Sequence, residues 1–247
     1  MSGTRSHFPK AQATDALIVA HGQPSDPLPA EAALGALCER VQALLPDMSL
    51  TSATMANGDA LEKSVATLRK GGLVYPLFMA NGWFVQTALR KRLGDAPCHL
   101  LTPLGLEPAL PGLAAQVIRD ALQSQGQDPR DVRILLAAHG SAKGRLAAKS
   151  AYRFARALSH EIALAGVFPG FVEQAPFLTE VLEDLREPSL CLPFFAMDGD
   201  HMKQDVRQGL REAGFAGEIL PALGQTKAIP QLIANSLKTQ INDREAA

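Results

Sequence analysis

Cysteine is scarce in this chain: Cys38, Cys98 and Cys191 are the only three, and no two form a CxxC pair. An odd number at such wide spacing argues against a disulfide framework or a structural zinc site. Each stands beside apolar residues and reads as a buried small hydrophobe, which points to a reducing, cytoplasmic location. Charge of one sign is lacking as well. The formal net charge is -1 over 247 residues, so the composition points to no nucleic acid and no membrane surface as partner. No apolar run is long enough to span a bilayer. Residues Met1 to Thr14 have no apolar h-region, so they do not read as a secretory signal; polar and broken by Pro9, with His7 among them, they read as a disordered leader. GxGxxG and GxxxxGK[ST] turns are absent, which disfavours a nucleotide-binding α/β protein. No GxSxG elbow is present either, which disfavours a serine hydrolase.

What the chain does contain is written twice. Ala20-His21-Gly22 returns as Ala138-His139-Gly140, an offset of 139 − 21 = 118, each copy preceded by an apolar run. Pro76-Leu77-Phe78 matches Pro193-Phe194-Phe195, and Gly82 matches Gly199, both at 117. Leu104-Gly105 matches Leu223-Gly224, and Pro111 matches Pro230, both at 119. Landmarks at a nearly constant offset define a tandem duplication. In the first half, strands are expected at Ala16–Ala20, Ser49–Thr54, Leu73–Phe78 and Cys98–Leu101. Helices are expected at Pro29–Leu45, Asp59–Arg69, Phe84–Leu93 and Glu107–Ser124. The second half repeats the pattern, with strands near Arg133–Ala137, Val167–Glu173, Ser189–Phe194 and Glu218–Leu220. Its helices lie near Arg145–Leu164, Phe177–Leu185, His201–Ala213 and Ala228–Asn242. A Gln-, Gly-, Asp- and Pro-containing stretch, Gln123 to Arg130, reads as the linker. Short apolar strands alternating with helices give an α/β fold of two duplicated lobes, residues 15–124 and 131–242. Each is a four-stranded parallel sheet flanked by helices, with a ligand cleft between the lobes.

Ligands in such sheets sit at the carboxyl ends of the strands, so the residues there carry the chemistry. In the second half those ends hold His139, then Glu173 and Gln174, then the loop Met197-Asp198-Gly199-Asp200-His201 that opens a helix. Two imidazoles and a carboxylate at one sheet edge suit Fe, Co, Ni or Zn. Asp205, four residues past His201, either orients that ring or supplies nearby negative charge. Asp198 and Asp200 read as loop and N-cap residues. The first half keeps His21 but has Ala56, Phe84 and Ala88 where the second has Glu173, His201 and Asp205. One site therefore survives, in the second copy, and the first becomes a wall in which Trp83, Phe84 and Met79 face a flat apolar ligand. His21 either lines the cleft or only holds its turn. His99 and His160 carry no such pattern.

The strand-ending AHG at 20–22 and 138–140, the VEQAP at 172–176 and the LPFFAMDGDHMKQDV at 192–206 resemble the CbiX/CbiK group of class II chelatases, and the resemblance runs from about Ala16 to Ile241. It implies an ATP-independent lyase that inserts Co²⁺ or Fe²⁺ into a sirohydrochlorin-type tetrapyrrole in cobalamin or siroheme biosynthesis. The duplication supplies two lobes within one chain, and both a monomer and a homodimer remain open. Ni²⁺ suits the same ligands, and no cofactor is implied beyond the metal substrate. The metal-handling and catalytic residues fall on His139, Glu173 and His201. As neutral imidazoles the two histidines hold the metal, so loading weakens at acid pH. Glu173 or one of the histidines takes the pyrrole protons. Lys143, Arg145, Lys149, Arg153 and Lys203 either pair with substrate carboxylates or form a solvated helix face. A non-catalytic metal or tetrapyrrole carrier with the same ligands is the alternative.

Overall fold

Alternation along the first strand explains how each sheet is covered. In β1 (Thr14–Ala20), Ala16, Ile18 and Ala20 face one layer of helices and Leu17 and Val19 face another, and all five are buried. A strand buried on both faces requires parallel neighbours joined by helical crossovers. The chain accordingly continues as α1 (Pro27–Ala43), β2 (Leu50–Thr54), α2 (Ala60–Thr67) and β3 (Leu68–Pro76). A π-helix, Phe84–Leu89, then runs into α3 (Arg90–Leu93), followed by β4 (Cys98–Leu100) and α4 (Leu110–Gln125). The second half comprises β5 (Arg133–Ala138), α5 (Leu146–Glu161), β6 (Gly166–Phe171), α6 (Leu178–Asp184) and β7 (Ser189–Phe194). A second π-helix, His201–Gln208, leads into α7 (Gly209–Glu212), β8 (Glu218–Ile219) and α8 (Ile229–Glu245). Strand orders are β2-β1-β3-β4 and β6-β5-β7-β8, parallel throughout.

This computed structural model describes residues 14–142, 144–185, 187, 189–199 and 201–245, with the side chains of His201, Lys203 and Glu245 outside the described set. The expected leader, with His7, lies outside the described residues except for Thr14, which is buried and begins β1. Lys143 and Asp200 also lie outside them. No helix among the described residues is long and apolar enough to cross a membrane.

The largest core lies between the two sheets. It joins Ile18 and Tyr75 of one sheet to Leu136 and Phe194 of the other through Leu34 and Val41 of α1, Ile118 and Leu122 of α4, Phe154 and Leu158 of α5, and Ile233 and Leu237 of α8. Truncating a wholly buried leucine in such a layer costs about 2–5 kcal/mol, so this layer binds the lobes together. Smaller cores cover the outer faces: Leu17, Val19 and Val74 against Leu61, Val85 and Leu89, and Leu135 and Cys191 against Leu178, Met202 and Val206.

Three features differ from the sequence-based expectation. The strand expected at Leu73–Phe78 begins at Leu68, within the helix expected over Asp59–Arg69. The helices expected over 84–93 and 201–213 each begin as a π-helix, whose wider turn carries one extra residue. The closing helices also cross over. α4 packs on α5 of the second half, with Arg119 donating to the Glu161 carbonyl at 2.6 Å. α8 packs on α1 and β3 of the first half, with Arg244 donating to the Gly71 carbonyl at 2.6 Å.

This exchange buries a carboxyl group. Glu107 lies between Ser236 of α8 and the Tyr75 hydroxyl of β3, which is buried without a well-formed hydrogen bond. Burial pushes the Glu107 carboxyl above its ordinary value, against the lowering effect of Ser236 and Tyr75. The folded chain therefore keeps a proton that the unfolded chain releases, and stability at this site falls as pH rises from the ordinary glutamate value through the raised folded one. Glu107→Gln is expected to raise Tm at pH 7.5 and to match wild type near pH 4. Thermal melts across that range check the sign, and an unchanged gap at both ends would refute it.

Candidate metal centre

In the second half, β5 ends at Ala138 and the next two residues turn the chain. Gly140 adopts φ +71°, a left-handed conformation that favours glycine, and an added Cβ there would lie 2.8 Å from Gln174 Cγ. The turn presents His139 to solvent, with its side chain 41% exposed and Nδ1 3.2 Å from the Gly140 carbonyl. A carbonyl can only accept, so Nδ1 donates, and in the neutral ring Nε2 then keeps the lone pair that a metal requires. Glu173 Oε2 stands 3.7 Å from the same Nδ1. The backbone places that carboxylate, because Glu173 N–H donates to the His139 carbonyl at 3.0 Å and Val172 N–H to Ala138 at 3.1 Å. The loop closes where Phe171 N–H donates to Pro176 O at 2.9 Å, after a cis Ala175–Pro176 bond. Gln174 pins the other side of the turn by accepting from Ser141 N–H at 2.9 Å, a positioning role that the sequence reading missed.

The first half repeats the scaffold without the carboxylate. Ala56 N–H donates to the His21 carbonyl at 2.9 Å and Met55 N–H to Ala20 at 2.9 Å, so Ala56 occupies the place of Glu173. His21 Nδ1 lies 2.8 Å from the Gly22 carbonyl, as His139 lies against Gly140. Phe84 covers its ring edge-on at 4.2 Å between centroids, and Trp83 meets Phe84 at 5.2 Å. Trp83 and Phe84 remain 64% and 42% exposed, which leaves an aromatic surface open to a flat ligand.

The two π-helices fix the remaining correspondence. Val85 N–H donates to Gly82 O and Met202 N–H to Gly199 O, both at 3.1 Å, so position 201 corresponds to 84 and position 205 to 88. The His201 side chain lies outside the described set. Among the described residues no group of three His, Cys, Asp or Glu is spaced to hold a metal, and the described part of the expected triad is the pair His139 and Glu173. Asp205 lines a recess of about 470 Å³ with Val172, Gln204, Gln208 and Glu212. In the first half Arg92 stands at the position of Gly209 and fills that space, bonding to Glu62 at 2.6 Å and to the Met55 and Gly58 carbonyls. The hydrogen bonds from Arg92 hold the Glu62 carboxyl below its ordinary value.

The loops at the carboxyl edges of the two lobes approach each other, since a Cβ on Gly199 would lie 3.7 Å from Gln23 Oε1. Arg145, just before α5, and Lys149 and Arg153 along its first half lie exposed, whereas Lys143 and the Lys203 side chain lie outside what is described. His99 and His160 are exposed on β4 and α5, away from the pair.

Two parallel sheets, each ending in a His-Gly turn, with one polar and one aromatic edge, form the chelatase-like fold. SirB from Bacillus subtilis subspecies spizizenii, a sirohydrochlorin chelatase solved with cobalt, shares it at TM-score 0.70 and 16% identity, over 95% of this chain and 98% of that one. DR2241 of Deinococcus radiodurans, a multi-domain protein with structural similarity to chelatases, shares it at TM-score 0.66 and 20% identity, over 91% of this chain and 54% of that one. A structure of CbiX, described as the terminal enzyme for biosynthesis of siroheme in denitrifying bacteria, aligns at TM-score 0.83 and 39% identity, over 91% of this chain and 98% of that one. The CbiX sequence family matches residues 133–240. No curated protein sequence matches. The chain belongs to the CbiX family.

Proposed function

We propose that this protein is a sirohydrochlorin chelatase, a lyase that inserts Co²⁺ or Fe²⁺ into the macrocycle without ATP. The observation that carries the reading is the His139–Glu173 pair at the carboxyl edge of one sheet, opposite the aromatic edge of the other, in a chain 39% identical to a siroheme-forming CbiX.

Insertion exchanges two pyrrole N–H bonds for metal–nitrogen bonds and releases two protons. His139 offers Nε2 to the substrate metal because its Nδ1 proton is committed to the Gly140 carbonyl. His201 is the second nitrogen ligand, by its position at the mouth of the second π-helix, which Phe84 occupies beside His21 in the other lobe. Glu173 takes the pyrrole protons, and its exposure lets them pass on to water. Trp83 and Phe84 hold one face of the ring. Both lobes come from one chain, so a monomer carries a complete site. Burial raises the Cys38 thiol to about 11 and pushes Cys191 higher still, so neither thiol competes for the metal, and free thiols suit a reducing cytoplasm.

The test is sirohydrochlorin absorbance with Co²⁺, Fe²⁺ or Ni²⁺. A chelatase converts many equivalents of macrocycle per protein, faster than the uncatalysed reaction. A stoichiometric complex with no rate enhancement would identify a carrier instead.

A further inference from the structure

The duplication also exposes a difference on the far side of the π-helices. In the second half, Asp198 precedes the conserved-offset Gly199, and its carboxylate faces the Arg207 guanidinium at 3.9 Å. The corresponding residues of the first half, 117 positions earlier, are Asn81 and Arg90. The arginine is retained and its carboxylate has become a neutral amide. Arg90 is exposed and, among the described residues, forms no ion pair.

Arg90 borders a recess of about 210 Å³ beside the carboxyl end of β4. Its polar lining is Arg90, Asn81, Gln86 and Thr102, on a floor that includes Val85, Leu101 and Pro103. The second half has Pro221 where Thr102 would stand, counting from the matched bonds of Leu101 N–H to Val74 and Leu220 N–H to Cys191. The Asn81 side-chain oxygen is buried without a partner. The first half thus has a neutral amide where the second has a fixed negative charge, and a hydroxyl where the second has a proline, around a guanidinium present in both. The same short loop from Asn81 continues into Trp83 and Phe84, so the recess adjoins the aromatic edge.

We infer that this recess binds a peripheral carboxylate of the macrocycle, with Arg90 as the principal contact and Gln86 and Thr102 as neutral donors. The inference rests on the chelatase reading and names the feature of the substrate that the degenerate lobe recognises. Arginine presents two parallel N–H groups that match a carboxylate, and a ligand carboxylate meets no competing acid once Asp is replaced by Asn. The degenerate lobe is then a specificity surface for an acidic ring: its aromatic side chains take the flat face and its arginine one acidic arm.

The experiment is metal-free titration of sirohydrochlorin and of its fully methyl-esterified form, followed by absorbance, with wild type, Arg90→Ala, Arg90→Lys and Asn81→Asp. Arg90→Ala is expected to weaken sirohydrochlorin binding about tenfold, the loss typical of a charge-assisted bond. Asn81→Asp recreates the arrangement of Asp198 and Arg207 and should weaken binding comparably while leaving the fold, checked by thermal melting, intact. Arg90→Lys should fall between. The ester should bind all four proteins alike, and KM for the metal should not move. If wild type turns over sirohydrochlorin but binds it no better than Arg90→Ala does, the recess is not the carboxylate site and the chelatase reading stands. If wild type neither binds nor converts sirohydrochlorin, both fall.

Discussion

His139→Ala is expected to cut metal insertion on the order of 100-fold or more, because the proposed site then loses the imidazole whose other nitrogen is already committed by a hydrogen bond. His201→Ala should match it, and the double variant should be little worse than either, since residues that act on one metal ion fail together. Glu173→Gln keeps the shape and removes the proposed base; general-base loss typically costs about 10²–10⁴-fold in kcat. His21→Ala provides the internal control. Its Nδ1 is held by Gly22 as His139's is by Gly140, yet Ala56 gives it no carboxylate and Phe84 covers its ring, so the rate should change only a few-fold. Protons compete with the metal for imidazole nitrogen, so activity should decline as the assay is acidified. Initial rates at several metal concentrations, with folding checked by circular dichroism, decide the matter. A His139→Ala rate within threefold of wild type would remove the second lobe from the chemistry, whereas an equal collapse in His21→Ala would show that both lobes share it.

The duplication was legible because its landmarks are backbone necessities. The His-Gly turns need Gly22 and Gly140 at positive φ, and the Leu-Gly pairs return hydrogen bonds to Phe78 and Phe195, so composition could not drift at those places. The nearness of position 173 to His139 was legible for a related reason: the backbone bond from its N–H to His139 O ties the second strand end to the first, as Ala56 N–H to His21 O does in the other half. The π-helices were not read, because a change of hydrogen-bond partner leaves apolar residues on one face. Their one signal is the strict four-residue spacing of Val85, Leu89 and Leu93, and of Met202, Val206 and Leu210, which suits a turn wider than 3.6 residues. The crossing of α4 and α8 left no signal, since an amphipathic face specifies that a helix packs but not on which sheet. Arg90 was hidden inside Arg90-Lys91-Arg92, which reads as a solvated face until Asn81 is set against Asp198.

Gly224→Ala is expected to cost stability and activity together, and Gly105→Ala stability with much less activity. A Cβ on Gly224 would lie 2.1 Å from the Ala196 carbonyl oxygen and 2.6 Å from Ala196 Cα; one on Gly105 would lie 2.0 Å from the Met79 carbonyl oxygen. These are backbone atoms, so no rotamer change relieves the contact and one of two packed loops has to move. Forced overpacking of this kind costs about 3 kcal/mol. In a chain of this length that lowers Tm by roughly 6–12 °C. The two lesions are equivalent in mechanics and differ in what the displaced loop carries. Past Ala196 come Asp198 and, at the head of the π-helix, His201; past Met79 come Asn81, Trp83 and Phe84. A shift of an ångström moves the proposed ligand His201 out of reach in the first case, which should depress kcat by on the order of 100-fold. In the second it moves the proposed aromatic wall and the Asn81 amide that lines the Arg90 recess, which should raise KM for the macrocycle and largely spare kcat. Paired melts and steady-state rates separate the two effects. Equal Tm losses with equal kcat losses would mean that the loop after β3 serves the chemistry as directly as the loop after β7, and that the first lobe still takes part in metal transfer.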